Sequence, residues 1–435
     1  MNAFRGGRDR GGDGRGDAIR VRDPNPELRD VVVTGLGTLG AFGAGREALA
    51  AGLRAGAPQL SAVERPPGYH RTHSARTAAL VTEKNLARWV PPAAARRMGW
   101  PSRFAVAASM MALEDAGLSR ADVSPEIAAR GAVFLGTAFG AALFSEQLLT
   151  EIFRDPEQAS PFRFAESVAN APTAQVALAL GITGANVTLT LREASPLAAI
   201  AGAAREIALG RADWALAGGV EEMSPLLHAA LDRFRALARP RDGEPEAARP
   251  FDARRDGFVA AEGSTVLLLE SAERAARRGA TVRARVRGAI QANDPTAPAA
   301  SWGCGVDELA EALAAGLARH RVLPEEIGLV VSGASGARRG DLLEGQVLRA
   351  GWEGAELPPV TAPKGATGEY GGFVAGAAVL AVEQGLVAAP RWFEEEDEGV
   401  GIVPAAALDA PPTRTVLVST LAAAGAAAWL LLDPA

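Results

Sequence analysis

Cysteine and histidine are scarce in this sequence. Cys304 is the only cysteine among 435 residues, which excludes an intramolecular disulfide and a cysteine-based zinc site. The four histidines are His70, His73, His228 and His320. The spacing of His70 and His73 could hold a metal ion, but no cysteines or carboxylates cluster beside them, so core or surface histidines are favoured. Neither a metal nor a cofactor is expected, and a cytoplasmic location fits the lack of disulfides.

Lysine is almost absent as well, because Lys84 and Lys364 are the only two in the chain. The other basic side chains are arginines, and we attribute this bias to a GC-rich genome. Lys and Arg total 45 against 51 Asp and Glu, which gives a formal net charge of −6. The charge balance therefore gives no indication that the protein binds nucleic acid.

Long uncharged segments are missing, with one exception. Residues 415–432 carry no charge over 18 positions, which is the lower limit for a membrane span. Gly425 and the alanines around it divide this segment, so two buried strands joined by a turn are predicted and no membrane span. The first residues are rich in Gly, Arg and Asp and contain no apolar run. We therefore expect residues 1–28 to be a disordered tail, not a secretory signal.

Short apolar strands and apolar helices alternate through the rest of the chain. Residues 31–33, 132–135 and 329–331 have the pattern of buried strands, and residues 101–116 and 306–319 have that of helices. This alternation predicts an α/β fold with mostly parallel sheets that are covered on both faces.

One corner between a strand and a helix stands out. Residues 186–192 alternate as a buried strand does, and an alanine-rich helix follows Pro196. Pro196 fits the first helical turn and Ser195 is predicted as the N-cap. Glu193 then lies at the corner, where the free N–H groups of the helix carry partial positive charge. A cysteine there would be acidified and reactive, but the residue is a glutamate.

The residues around this corner resemble the nucleophile region of the β-ketoacyl synthases. Residues 186–202 and 210–221 carry this likeness, and residues 249–264 match a long signature of the same family. The resemblance begins at residues 31–37 and extends to the end of the chain. It implies a dimer whose interface is built partly by the strand before Glu193.

The same resemblance implies a thiolase-like fold. That fold has five layers, αβαβα, and two similar lobes. We place the two lobes at residues 29–281 and 282–435.

The residues that carry out the family's chemistry can be looked for in this chain. A β-ketoacyl synthase uses a cysteine thiolate to accept an acyl group, and two histidines stabilise the charge formed on decarboxylation. By the resemblance, Glu193 stands at the cysteine site. Counting back from Asp341 places Gly333 at the first histidine site, and the Lys364-x-x-x-Gly pattern places Glu369 at the second. Lys364 alone is retained of the catalytic set.

Condensation and decarboxylation are both disfavoured by these replacements. Attack of Glu193 on a thioester would give a reactive mixed anhydride, with no histidine to stabilise the oxyanion. Glu193 and Glu369 also place negative charge where a malonyl carboxylate would bind, at a repulsion on the order of a few kcal/mol. Cys304 lies outside the nucleophile alignment.

Loss of catalytic residues on this scaffold resembles the chain-length factors, the beta subunits of type II polyketide ketosynthases. The resemblance implies a heterodimer with a catalytic alpha subunit, a tunnel shared between the two, and an acyl carrier protein that docks on exposed arginines. The predicted tunnel and interface residues are Met110, Met111, Phe139 and Phe144. A glutamine is the familiar residue at the position of Glu193, so the chain departs from the pattern there.

Other interpretations of the glutamates stay open at this point. Glu193 can be purely structural, as an anion at a helix N-terminus beside Arg192. Alternatively, Glu193 and Glu369 face each other and share a proton, which would suit the isomerisation, dehydration or cyclisation of a carrier-bound chain. Lys364 either supports the pocket or neutralises Glu369. A catalytically silent homodimer is a further possibility.

Overall fold

A computed structural model describes residues 28–65, 74–241 and 243–435. The predicted tail, residues 1–28, lies outside the described residues except for Leu28, and so do His70 and His73. The interpretations of those residues therefore stay predictions.

The described residues form a chain of short strands and helices. The strands are β1 (Val31–Gly40), β2 (Gly43–Ala44), β3 (Ser61–Ala62), β4 (Thr77–Ala78), β5 (Gly131–Gly136), β6 (Asn186–Leu189), β7 (Trp214–Glu221), β8 (Gly263–Ser271), β9 (Ala284–Asn293), β10 (Ile327–Val331), β11 (Val360–Thr361), β12 (Thr415–Leu421) and β13 (Ala426–Asp433). The helices are α1 (Arg46–Ala55), α2 (Pro92–Ala95), α3 (Trp100–Asp115), α4 (Pro125–Ala128), α5 (Ala142–Arg154), α6 (Pro161–Ser167), α7 (Ala171–Leu180), α8 (Ser195–Ala208), α9 (Pro225–Arg233), α10 (Ala272–Arg277), α11 (Val306–Arg319), α12 (Arg338–Gly351), α13 (Lys364–Thr367) and α14 (Gly371–Gln384).

Two half-sheets meet edge to edge at the first strand. The strand order is β11-β10-β12-β13-β9-β1-β8-β7-β5-β6. Strand β1 pairs along most of its length with β8, but only Val31, Val32 and Val33 pair with β9. The short β1–β9 pairing is thus the backbone link between the half that ends at β6 and the half that ends at β11.

Successive side chains along a strand point to opposite faces of the sheet and so pack into different cores. In β5, Ala132 and Phe134 join a central core that also contains residues of α8, α14 and the β9–β13 half-sheet. Val133 and Leu135 face the other way, into a core formed with α3 and α7. A third core packs α11 and α12 on the outer face of the second half-sheet. The order helix, sheet, helix, sheet, helix confirms the predicted five-layered, thiolase-like α/β fold.

The prediction of mostly parallel sheets was wrong in detail. Strands β5, β6 and β7 are parallel to one another, as are β10, β11 and β12. The middle of the sheet is antiparallel, because β8 and β9 run against β1, and a tight turn returns β12 directly into β13. Periodicity alone does not distinguish a buried antiparallel strand from a parallel one, since both are apolar on both faces.

The uncharged segment near the end of the chain forms β12 and β13, as predicted. These strands pair side by side in the sheet interior. No helix in the described part of the chain is long and apolar enough to cross a membrane. The predicted helix at residues 306–319 is α11. The boundary between residues 281 and 282 stays a prediction.

Candidate functional site

The connection between β6 and α8 contains a 3₁₀ turn that the sequence did not predict. A 3₁₀ turn, Arg192–Ala194, connects them, and Arg192 has a left-handed φ of 50°. The prediction that Ser195 is the N-cap was wrong, because the turn carries the chain into the helix one residue earlier and Ala194 is the N-cap. The Ser195 hydroxyl instead accepts a hydrogen bond from the Leu191 N–H at 2.7 Å. Pro196 occupies the first helical turn, as predicted.

Glu193 points from this corner into a cavity. Its Oε2 accepts a hydrogen bond from the backbone N–H of Ala423 at 3.2 Å, which links the corner to the turn between β12 and β13. Glu193 is half-buried, since one side of it faces the cavity. Burial, followed by the charge of Glu369, raises the pKa of Glu193 to about 7. The carboxyl group therefore gains and loses its proton near neutral pH.

Glu369 lines the same cavity and forms a buried ion pair with Lys364. The Lys364 Nζ is 2.5 Å from Glu369 Oε1, and the two side chains are 1% and 9% exposed. Gly368, with a φ of 84°, ends the short helix α13 and turns the chain so that the Glu369 N–H donates to the Val259 carbonyl. Because the ammonium group is this close, the contact is a charge-assisted hydrogen bond.

The cavity has a volume of about 450 Å³. Its walls combine aromatic side chains, carboxylates and arginines, including Phe139, Phe258, Trp302, Glu193, Glu221, Glu369, Tyr370, Arg192, Arg235, Arg338 and Arg339. Arg235, Arg338 and Arg339 are exposed, whereas Glu221 and Tyr370 are buried. The arrangement is an apolar and acidic interior beneath a basic rim.

Glu221 is a cavity residue that sequence reasoning missed. It lies at the end of β7, and its carboxyl accepts hydrogen bonds from the Ala138 N–H at 2.7 Å and the Thr137 hydroxyl at 3.1 Å. Burial raises the pKa of Glu221 to about 8 in spite of these donors. Burial also raises the pKa of Tyr370, which follows Glu369 directly. The available signal was a carboxylate at the carboxyl end of a buried strand, where ligands of α/β proteins often bind.

Gly333 has contacts of its own, at the end of the second half-sheet's strand β10. It follows β10, and its N–H donates to Glu344 Oε1 at 3.1 Å. Gly333 is not among the residues that line the cavity. A Cβ atom at this position would be 2.9 Å from the Ser419 carbonyl oxygen, so the site has closed around the glycine. The structure thus brings Glu193 and Glu369 into one cavity, with Lys364 bonded to Glu369, and Gly333 is not part of the cavity wall.

The four predicted tunnel residues are spread over two places. Phe139 lines the cavity. Met111 is buried in the core beneath α3, Met110 packs against the same core, and the Phe144 ring lies against Gly99. Met110, Met111 and Phe144 do not line the cavity of the single chain, and a role for them beside a partner subunit stays a prediction.

An exposed apolar surface lies near the free edge of the sheet. Strand β6 is the last strand of its half-sheet and pairs with β5 among the described strands. Helices α5, α6 and α7 present large exposed apolar side chains, namely Leu149, Phe153, Phe162, Phe164 and Leu178. We call this set the α5–α7 apolar surface. Exposed apolar clusters rimmed by polar groups mark interaction sites.

No metal centre is apparent in residues 28–65, 74–241 and 243–435. In these ranges no three His, Cys, Asp or Glu side chains are grouped so that they could hold a metal ion. Cys304 is exposed.

Comparison with known proteins identifies the family. Residues 28–275 match the family described as "Beta-ketoacyl synthase, N-terminal domain", which is more than half of the chain. The chain belongs to the β-ketoacyl synthase family. The predicted family is thereby confirmed.

Relatives span most of the chain. The 3-oxoacyl-[acyl-carrier-protein] synthase 2 of Vibrio cholerae is 31% identical over 86% of this chain and 91% of its own. Among solved structures, the ishigamide ketosynthase/chain length factor is 29% identical, with a TM-score of 0.83 over 94% of this chain and all of that chain. A β-ketoacyl synthase from Burkholderia phymatum is 25% identical, with a TM-score of 0.80 and the same coverage. The ketosynthase fold and family are shared with these proteins.

Proposed function

We propose that this chain is the non-catalytic subunit of a type II polyketide ketosynthase, a chain-length factor that pairs with a catalytic subunit and shapes the acyl tunnel. The observation that carries the proposal is Glu193 at the nucleophile corner. Its carboxyl group occupies the Ala423 N–H, so that N–H is not open to a substrate oxygen. Glu369, held by Lys364, and Gly333 stand where the family has histidines. The chain on its own is then inactive in condensation.

The α5–α7 apolar surface supports pairing with another subunit. Phe153 is 85% exposed and Phe162 is 66% exposed, and the free edge of β6 can accept a further strand. A subunit that covers both would bury apolar area and satisfy the open backbone groups. The similar structure named for a ketosynthase and a chain length factor favours a ketosynthase catalytic subunit as this partner.

The basic rim of the cavity supports docking of an acyl carrier protein. Arg235, Arg338 and Arg339 are exposed at the mouth, although the whole chain has a net charge of −6. Such a local concentration of positive charge attracts an acidic protein surface. We place the complex in the cytoplasm.

The test is co-expression of this chain with a type II polyketide ketosynthase catalytic subunit. We expect the two to co-purify as a heterodimer in size-exclusion chromatography with light scattering. The heterodimer should condense malonyl units on a carrier protein, and this chain alone should not. Condensation by the single purified chain would contradict the proposal.

Charge on the α5–α7 apolar surface should weaken pairing. Phe153→Asp and Phe162→Asp are each expected to weaken the heterodimer about tenfold or more, because a carboxylate would be buried unpaired at the interface. The folded chain itself should be unaffected, since both side chains are exposed. Leu323→Asp is the matched control, because Leu323 is 63% exposed and lies before β10, in the other half. Equal pairing by all three variants would show that this surface is not the interface.

A further inference from the structure

We propose that Glu193 and Glu369 form an acid–base pair that moves protons on an unsaturated acyl thioester bound in the cavity, shifting a carbon–carbon double bond into conjugation with the carbonyl. The activity goes beyond tunnel shaping and does not require the partner subunit. It uses one cavity, two carboxyl groups from distant segments, and no cofactor.

Glu369 has the environment of a general base. Lys364 holds it through Oε1 at 2.5 Å, which fixes the orientation of the carboxyl group in a buried site. Oε2 has no hydrogen-bond partner among the residues that the structure describes. That oxygen is the one available to take a proton from a carbon beside a thioester carbonyl.

Glu193 has the complementary environment of a general acid. The Ala423 N–H bonds to Oε2, which leaves Oε1 to carry a proton into the cavity. A pKa near 7 means that about half of the Glu193 side chains are protonated at neutral pH, which suits proton transfer at that pH.

The proton balance closes without a co-reactant. Glu369 takes a proton from the α-carbon of a β,γ-unsaturated thioester while Glu193 donates its proton to the carbonyl oxygen, which gives a dienol. Glu369 then returns its proton to the γ-carbon, and the enol hydroxyl returns its proton to Glu193. The C=C bond has moved to the α,β position, and both glutamates have recovered their starting states.

The cavity fits an acyl thioester of modest length. Phe139, Phe258 and Trp302 supply apolar walls in a volume of about 450 Å³, and the arginines at the mouth suit an anionic group on the far end of the thioester. Apolar walls also exclude water from the reacting carbons, which strengthens the electrostatic effect of the two carboxyl groups.

The test uses the purified single chain and the N-acetylcysteamine thioester of a β,γ-unsaturated fatty acid. We expect conjugated product by ultraviolet absorbance. In D₂O, NMR should show deuterium at the γ-carbon to the extent that the proton on Glu369 exchanges with solvent before it is returned. The rate should change with pH near 7, because Glu193 titrates there with Glu369, Lys364 and Arg192 as its charged neighbours. No conversion above the buffer rate would overturn the proposal.

Substitutions separate this activity from a general effect on folding. Glu193→Gln keeps an acceptor for Ala423 but cannot donate an acidic proton, so the rate should fall on the order of 10²–10⁴-fold. The double variant Lys364→Met/Glu369→Gln removes the base without leaving a buried charge and should lose activity to the same extent. Glu222→Gln is the matched control, because burial raises the pKa of Glu222 to about 7 as well and it does not line the cavity.

The results of these experiments also distinguish the acid–base proposal from the proposal that the chain acts as a subunit of a heterodimer. Full isomerase activity in Glu193→Gln or in the double variant would overturn the acid–base pair, whatever the result of co-purification. Isomerisation by the single chain without pairing would support the acid–base pair and contradict the subunit role.

Discussion

Glu369→Gln is expected to lower the free energy of unfolding by about 3–5 kcal/mol, the usual cost of breaking one side of a buried ion pair. Lys364 is 1% exposed, and its ammonium group would lose the carboxylate 2.5 Å away without gaining water. The measurement is urea or guanidinium unfolding followed by circular dichroism at neutral pH.

The companion variant identifies the cause of that loss. Lys364→Met/Glu369→Gln removes both charges and keeps similar side-chain volumes, so most of the lost stability should return. A double variant as unstable as Glu369→Gln would mean that the loss comes from packing and not from the unpaired ammonium. An unchanged stability in Glu369→Gln would show that Lys364 is not confined beside it as the structure indicates.

Stability should fall as the pH rises from about 5 to about 8. The pKa of Glu221 is about 8 in the folded chain, against an ordinary glutamate pKa of 4.5, so the native state holds this proton when the unfolded chain has released it. The stabilisation from this proton is complete below the pKa of the unfolded chain, 4.5, and is lost as the pH rises to the pKa of the folded chain, about 8. This difference in pKa corresponds to several kcal/mol for Glu221 alone, on the order of 1.4 kcal/mol for each tenfold change in proton affinity, and Glu193, Glu222 and Glu344 act in the same direction.

Glu221→Gln tests the contribution of this one carboxyl group. The variant has no proton to lose at this position, so its unfolding free energy should decline less between about pH 5 and pH 8 than that of the parent chain. Glu47→Gln is the control, because the Glu47 side chain on α1 is 83% exposed and should leave the slope unchanged. A parent chain whose stability rises over this range would contradict the expectation.

The site was partly visible in the sequence. The motif around Glu193 located the corner, and the spacing after Lys364 located Glu369, because those signals are short and local. Glu221 was missed, since it is the last residue of β7 and its hydrogen bonds come from the 137–139 segment, which is distant in sequence. Gly333 was assigned to the first histidine position by counting back from Asp341 in the sequence. Only the structure shows that the Ser419 carbonyl oxygen leaves little room for a side chain at Gly333.

The sequence by itself determined the elements with a strong local signal. The amphipathic segment that became α11, the uncharged segment that became β12 and β13, and the proline of the first turn of α8 were all predictable, since their patterns depend on near neighbours in the chain. The direction of the central strands, the cavity that gathers Glu193, Glu221 and Glu369, and the raised pKa values were decided only by the tertiary structure. Those properties arise from burial and from charges brought together across long separations in sequence, and neither is encoded in any local pattern.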